Sequence, residues 1–554
     1  MTNKKRLPLG ISDFKEMREG NYYFADNSLF IHEVIAAAKV MLIPRPRRFG
    51  KTLNLSMLRY FFEKSSENRQ NLFDGLHITE HESFRLHHGK YPVIWLTFKD
   101  IKSRNWKESF ESLKLLIYEE YARHRYLLED TTLFAEEKIY FENILNKSGE
   151  IADYERSLIF LCNYLNRFYH NPAVILIDEY DTPLYAGYNG GYYEDIVSFM
   201  RNFLSGGLKD NPRLFKGVVT GILRVAKESI FSGLNNMGVY TLLGQRFSDS
   251  FGFTEYEVKN LLETYNMQSS YEEVSKWYNG YLFGKTVIYN PWSVISYIDN
   301  QGNAMPYWVN TADTSIIARL ATRGGREIRE ELGQLIEGKS IQRPVYETIV
   351  IRDLEKRDDL LWSFLLFCGY LKPSRKTDDE TWELTVPNHE VRLAYRNLVK
   401  AWFSEKIETN CLSEMIQALE TGNIALFEQL LRMIFRQIVS YHDMGNEPEK
   451  VCHALVLGML VWMSGKYEIR SNRESGYGRY DLMMKPKDRA GKGIILEFKK
   501  IGTEKENAHE QVLKDALEQI ENCGYTAELE SVGIKDILKI AVAFRGKELW
   551  VAKG

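Results

Sequence analysis

The stretch Arg45-Pro46-Arg47-Arg48-Phe49-Gly50-Lys51-Thr52-Leu53 holds three residue types that together bind a polyphosphate. A closing glycine lets a loop turn into a helix, a lysine reaches terminal phosphates, and a threonine hydroxyl reaches magnesium. The helix that starts here also points the positive end of its dipole at an anion. Arg45 stands where such a loop ordinarily has its first glycine. Arg47 and Arg48 then have two uses: to add charge at the phosphates, or to pair with acids on a neighbouring lid and hold the loop shut. Arg47, Arg48, Phe49, Gly50, Lys51, Thr52 and Leu53 are the candidate contacts.

A loop of this kind needs acidic partners. "VILIDEYD" is a short apolar run that ends in Asp178 and Glu179. A buried strand would deliver both to its carboxyl end, where ligands bind in open α/β sheets. Asp178 would then hold magnesium through water, and Glu179 would polarise an attacking water.

A second set of chemical groups lies near the other end. "GRYDLMM" and "IILEFKK" place Asp481, Glu497 and Lys499 on two strand candidates. Period-two alternation puts Glu497 and Lys499 on one strand face, and a hairpin would bring Asp481 opposite them. Two carboxylates are hard oxygen ligands suited to magnesium or manganese, and a lysine can position a water for attack on phosphorus. Arg470, Arg473, Arg479, Lys485, Lys487, Arg489 and Lys492 surround this hairpin, a density that suits a phosphate backbone or a solvated loop. Glu474 is a further acid in the same region.

The elements that must position these groups follow from periodicity. "KVMLIP", "YPVIWLTF", "PAVILIDEYD" and "FKGVVTGIL" are four buried-strand candidates separated by helical stretches, which predicts a mostly parallel sheet with covered faces. After the loop, Leu53, Met57 and Phe61 repeat at helical spacing. Beyond residue 252 a mainly helical lid is expected, with Thr254 capping its first helix. Residues 340–405 read as helix, strand, polar turn, strand, helix, the order of a small winged-helix unit. The expected division is an ATP-site core over 1–251, the lid over 252–339, the winged-helix-like unit over 340–405, a helical connection over 406–445 and the metal-site domain over 446–554.

At 554 residues the chain is too long for one core. A net charge of −3 excludes a protein that coats nucleic acid by bulk electrostatics, though it leaves room for a local basic groove. The five cysteines are scattered and form no CxxC, so reduced thiols in a cytoplasmic protein are expected rather than a zinc site. No apolar run approaches a membrane span.

Taken together, "GISDF", "YYFADNSLFIHEVI", "RPRRFGKTLNLSML", "ILIDEYDTPL", "GILRVAKESIFSGLNN", "FGFTEYEV" and "WYNGYLFG…YNPWSV" give a sequence that resembles the bacterial AAA-ATPase-like family with a nuclease-like C-terminus. The resemblance implies a multidomain α/β protein: a P-loop NTPase core with a parallel sheet, a helical lid, a winged-helix-like middle and a C-terminal PD-(D/E)XK nuclease-like fold. It implies ATP and Mg2+ as cofactors, with Mn2+ as an alternative at the second site. It makes "VTGILR" the sensor strand, with Thr220 near the γ-phosphate and Arg224 reporting on it. At the second site it has Tyr480-Asp481 in place of Pro-Asp, adds Glu449 to the metal ligands, and gives Gln519 a supporting place. Two accounts of activity follow: an ATP-gated nuclease acting on nucleic acid, DNA more than RNA, or a non-cleaving switch or oligomerising STAND-type scaffold. The sequence leaves a homo-oligomer and a monomer both open.

Overall fold

The computed structural model describes residues 5–224, 237–309, 326–354, 356–406, 409–438, 463, 465–475, 478–488, 491–501, 508–545 and 548–554. The chain forms two compact units, one from residues 1–312 with 342–391, the other from 313–341 with 392–554.

The first unit is built on a parallel sheet of β1 (Val40–Pro44), β2 (Val93–Thr97), β3 (Ala173–Asp178), β4 (Leu214–Gly221) and β5 (Met237–Val239), in the order β2-β3-β4-β1-β5. Every residue of β1 and β3 is buried, as expected for strands covered on both faces. Because β4 lies between β1 and β3, Thr220 on β4 comes level with Ile43 at the end of β1. The ends of β1, β3 and β4 therefore meet at one edge of the sheet.

The helix Lys51–Phe62 starts at Gly50, whose φ of 81° is left-handed and suits glycine. Met57 and Phe61 are buried, as the spacing predicts, but so are most of their neighbours; Leu53 is only half-buried. The helix is a central one rather than a surface one with a single apolar stripe. The short helix Phe14–Glu19 is tied to it at "GISDF". Asp13 caps that short helix by accepting from Glu16 N at 2.9 Å, and also accepts from Ser56 Oγ at 3.2 Å and Tyr60 Oη at 3.0 Å.

In the lid region, Glu255–Thr264 starts with a capping box between Thr254 and Glu257. The expectation of a mainly helical lid missed a hairpin, β6 (Tyr281–Phe283) and β7 (Thr286–Ile288), whose strands are too short to show periodicity. Further on, β8 (Ile341–Pro344), β9 (Lys372–Lys376) and β10 (Thr381–Thr385) make a small sheet in the order β8-β10-β9, flanked by the helices Leu360–Phe367 and His389–Lys406. Residues up to 312 and from 342 to 391 group with the core in the first unit.

The second unit is a mixed sheet of β11 (Tyr467–Ser475), β12 (Gly478–Pro486), β13 (Gly493–Lys500), β14 (Ile537–Arg545) and β15 (Glu548–Lys553), paired in that order. Only β13 and β14 are parallel, and the helix Ala508–Asn522 lies between them in sequence. One face packs Leu482, Met484, Leu496 and Val542 against Met415, Leu419, Phe427 and Leu431 of the helices Thr409–Thr421 and Ile424–Ile438. The other face meets the helix Ala508–Asn522 through Met483, Ile495 and Ile520. Among the described residues no helix is long and apolar enough to cross a membrane.

Candidate functional site

At the sheet edge the loop residues and the acids converge. Thr52 Oγ1 donates to Asp178 Oδ2 at 2.7 Å, and Thr220 Oγ1 donates to Asp178 Oδ1 at 2.8 Å. Asp178 is buried, and that burial raises its pKa against the lowering effect of the two hydroxyls. Lys51 is buried too, and burial lowers its pKa against the pull of Glu179, Asp178 and Asp181. Its ammonium is folded back on the loop, donating to the carbonyls of Arg45 at 3.0 Å and Pro46 at 2.9 Å.

A cavity of about 450 Å³ opens over this edge, a size ordinary for small-molecule sites. Arg47, Arg48, Phe49, Gly50, Lys51, Thr52, Leu53 and Glu179 line it; Asp178, Thr220 and Arg224 do not. Asp178 and Thr220 lie one layer behind, where they orient Thr52. Arg224 is half-buried, and its carbonyl accepts from Ile349 N at 3.1 Å. Tyr23, Phe24, Ala25, Asn27, Phe253, Pro291, Trp292 and Ile295 also line the cavity. In "ADNS", Asp26 is spent on turns, accepting from Ser28 N at 3.0 Å and His77 N at 2.8 Å.

The arginines divide into two kinds. Arg45 is fully buried and acts as a staple: its guanidinium donates to the carbonyls of Pro44 at 2.8 Å, Tyr240 at 2.7 Å and Phe247 at 3.0 Å. Arg47 and Arg48 are exposed. The Arg48 guanidinium lies 4.2 Å from the ring centre of Trp292. Arg48 (φ 68°) and Glu179 (φ 52°) are both non-glycine residues in the left-handed region, the kind of strain that clusters at functional sites. Gly252 packs closely between β7 and the loop: a Cβ there would meet Ile288 Cγ2 at 2.2 Å and Phe49 Cδ1 at 3.1 Å. Its N–H donates to Phe49 O at 3.2 Å.

Sequence reasoning missed Arg45 as a staple and the third acid of "IDEYD". Asp181 Oδ2 accepts from Ile222 N at 2.8 Å and Leu223 N at 3.0 Å, so it shapes the backbone that follows β4. A buried acid three residues after Asp178 was visible; its partners were not. The hard-oxygen pair Thr52 and Asp178, beside a cavity lined by Lys51, fits a divalent cation carried on a polyphosphate.

In the second unit, β12 and β13 pair as far as Leu482 and Leu496, one residue short of Asp481 and Glu497. Past that point Asp481 Oδ2 accepts from Phe498 N at 2.8 Å, which seats its carboxylate on the neighbouring strand. Lys499 Nζ donates to Glu497 Oε1 at 3.0 Å, and both side chains are on the strand face turned to the helix Ala508–Asn522. Glu497 is 2% exposed, and among the described residues its Oε2 has no hydrogen-bond partner. Burial, with Asp481 adding to it, raises the Glu497 pKa to about 7 against the pull of Lys499. An orphaned buried carboxylate oxygen next to a second carboxylate fits a divalent cation. Among the described residues, however, no group of three or more His, Cys, Asp or Glu converges as a metal site.

Gln519 donates to Tyr525 Oη at 2.9 Å, and Glu497 helps raise the Tyr525 pKa, although burial contributes more. Tyr480 is buried and its hydroxyl donates to Glu528 at 3.2 Å. Glu474 lies on β11 opposite Arg479 in the register. Glu449 and Arg489 lie outside the described residues. The basic cluster is partly committed to the protein: Arg470 pairs with Glu468 at 2.8 Å and with Glu528, Lys487 donates to Gly465 O, and Lys492 is 3.7 Å from Asp536.

Residues 8–231 match a family model described as a predicted AAA-ATPase, and residues 447–554 match the model of the PD-(D/E)XK nuclease superfamily. An uncharacterized protein in vnfD 5'region from Azotobacter chroococcum mcd 1 is 26% identical over 323 residues, 58% of this chain. The aligned part spans 57% of that relative's length.

Proposed function

We propose that this chain, in which an AAA-ATPase-like domain precedes a PD-(D/E)XK nuclease superfamily domain, binds and hydrolyses ATP and thereby gates metal-dependent cleavage of nucleic acid. The observation that carries the reading is the convergence of Lys51, Thr52 and Glu179 on the lining of a cavity of about 450 Å³, with Asp178 bonded to Thr52.

In this mechanism Lys51 leaves the loop carbonyls and neutralises the β- and γ-phosphates, while the amides at the start of the helix Lys51–Phe62 hold their oxygens. Glu179 orients the attacking water, and Thr220 and Asp178 fix the Thr52 hydroxyl. At the second site Asp481 and Glu497 hold the metal-binding position, and Lys499 positions water toward the scissile phosphorus. A divalent cation, bound by Thr52 and Asp178 at one site and by Asp481 and Glu497 at the other, would supply charge neutralisation on the phosphates. DNA is the preferred polymer. Magnesium is the expected metal, with manganese as the alternative at the second site.

A second reading, an ATP-driven switch whose nuclease-like unit binds without cutting, draws support from the internal pairing of Arg470 and Lys492. A cleavage assay on single- and double-stranded DNA and RNA with magnesium or manganese, with ATP, with ADP and without nucleotide, separates the two. Cutting that disappears in Asp481→Ala and Glu497→Ala supports the nuclease. No cutting under any of these conditions sinks it and leaves the switch.

A further inference from the structure

The buried carboxylate of Glu390 belongs to neither site, yet it gathers three parts of the first unit. It accepts from Trp308 N at 2.6 Å on Oε1 and from Ser293 Oγ at 2.8 Å on Oε2. Trp308 is 1% exposed, and its indole Nε1–H donates to the carbonyl of Arg47 at 3.1 Å. The phosphate loop is therefore touched from behind by the residue that Glu390 holds. It is touched a second time from the same group, because Trp292, which lies against Arg48, adjoins Ser293 in the helix Pro291–Asp299. The ring of Trp308 also packs on Tyr370 with centroids 5.0 Å apart.

The places of Glu390 and Trp308 in the chain matter as much as their bonds. The first unit gives way to the second after residue 312 and again after residue 391. Trp308 shortly precedes the first of these points and Glu390 the second. Glu390 also sits in the first turn of the helix His389–Lys406, which runs on past residue 391. One hydrogen-bonded group thus joins the loop to both of these chain segments.

We infer that Trp308 and Glu390 are positioning residues that carry the state of the phosphate loop to the two segments through which the chain leaves the nucleotide unit. This rests on the reading of the cavity as an ATP site. When Lys51 exchanges the Arg45 and Pro46 carbonyls for phosphate, the peptide units of the loop must readjust. The Arg47 carbonyl is the one that Trp308 follows. Ser293, Trp308 and Glu390 are all buried, so a shift of the loop carbonyl is transmitted rather than absorbed by solvent.

Hydrogen exchange with and without ATP on the full chain, together with an ATP affinity measurement, tests this. In the wild type, ATP is expected to change exchange at 306–309 and 389–397. Trp308→Phe keeps the ring packing but removes the indole N–H. It should weaken ATP binding by no more than about fivefold, the worth of one hydrogen bond, while abolishing the change at 389–397. Glu390→Gln, which keeps an acceptor for Trp308, should retain that change. If Trp308→Phe does not fold, Ser293→Ala cuts another tie to Glu390 and should diminish the change at 389–397. An undiminished change in Trp308→Phe or in Ser293→Ala overturns the inference, as does a wild type that binds ATP with no change at those segments. A wild type that binds no ATP overturns the nucleotide reading and this inference with it.

Discussion

The Thr52 hydroxyl donates to the Asp178 carboxylate at 2.7 Å, linking residues 126 positions apart in the chain. The contact forms because β4 separates β1 from β3, so the loop after one strand and the acid ending the other meet over Thr220. It joins the two halves of the first site into one unit. Asp178→Ala leaves the Thr52 and Thr220 hydroxyls without their shared acceptor. It should weaken Mg-ATP binding at least tenfold, while binding of nucleotide without metal changes less; isothermal calorimetry with and without magnesium reads the difference.

Glu179 lines the cavity, whereas Asp178 does not. Glu179→Gln should therefore preserve ATP affinity and lower the rate of phosphate release by about 10²–10⁴-fold. Equal losses of binding and turnover would move Glu179 from the water to the nucleotide.

Arg45 holds three backbone carbonyls from full burial, so its place in the loop is structural. Lysine at this position cannot span the same acceptors, because it offers a point charge rather than a planar fork. Arg45→Lys should lower unfolding stability by roughly 1–3 kcal/mol for each carbonyl left unpaired, seen as a fall in urea midpoint. Arg47→Ala, at an exposed position, should leave the midpoint unchanged within about 0.5 kcal/mol.

Burial raises the Glu390 pKa from 4.5 to about 7 in the folded chain. The folded state thus keeps a proton that the unfolded chain releases, so this residue lowers stability as pH climbs from 4.5 through about 7. The cost is complete above that range and absent below it, and is on the order of 3 kcal/mol. Glu390→Gln carries no titrating group there. Its urea midpoint should fall less than that of the wild type between about pH 5 and about pH 8. Parallel pH profiles for the two proteins would contradict a buried, protonatable Glu390.

Sequence alone determined the parts that depend on local pattern. Short, mostly apolar runs declared β1 to β4, because strands covered on both faces are predominantly apolar. Gly50-Lys51-Thr52 declared a tight turn into a helix, since glycine readily takes the left-handed conformation found at Gly50. Alternation placed Glu497 and Lys499 on one face, as their 3.0 Å contact requires. Tertiary structure decided which side chains share a space. Nothing local tells that Arg45 turns inward to staple Tyr240 and Phe247 while Arg48 lies on Trp292. The same holds for Asp181, whose carboxylate shapes the backbone after β4, and for Glu390, which gathers Ser293 and Trp308. The physical reason is common to all of them. A buried polar group must find its partners wherever the fold brings them, and those partners lie tens to hundreds of residues away.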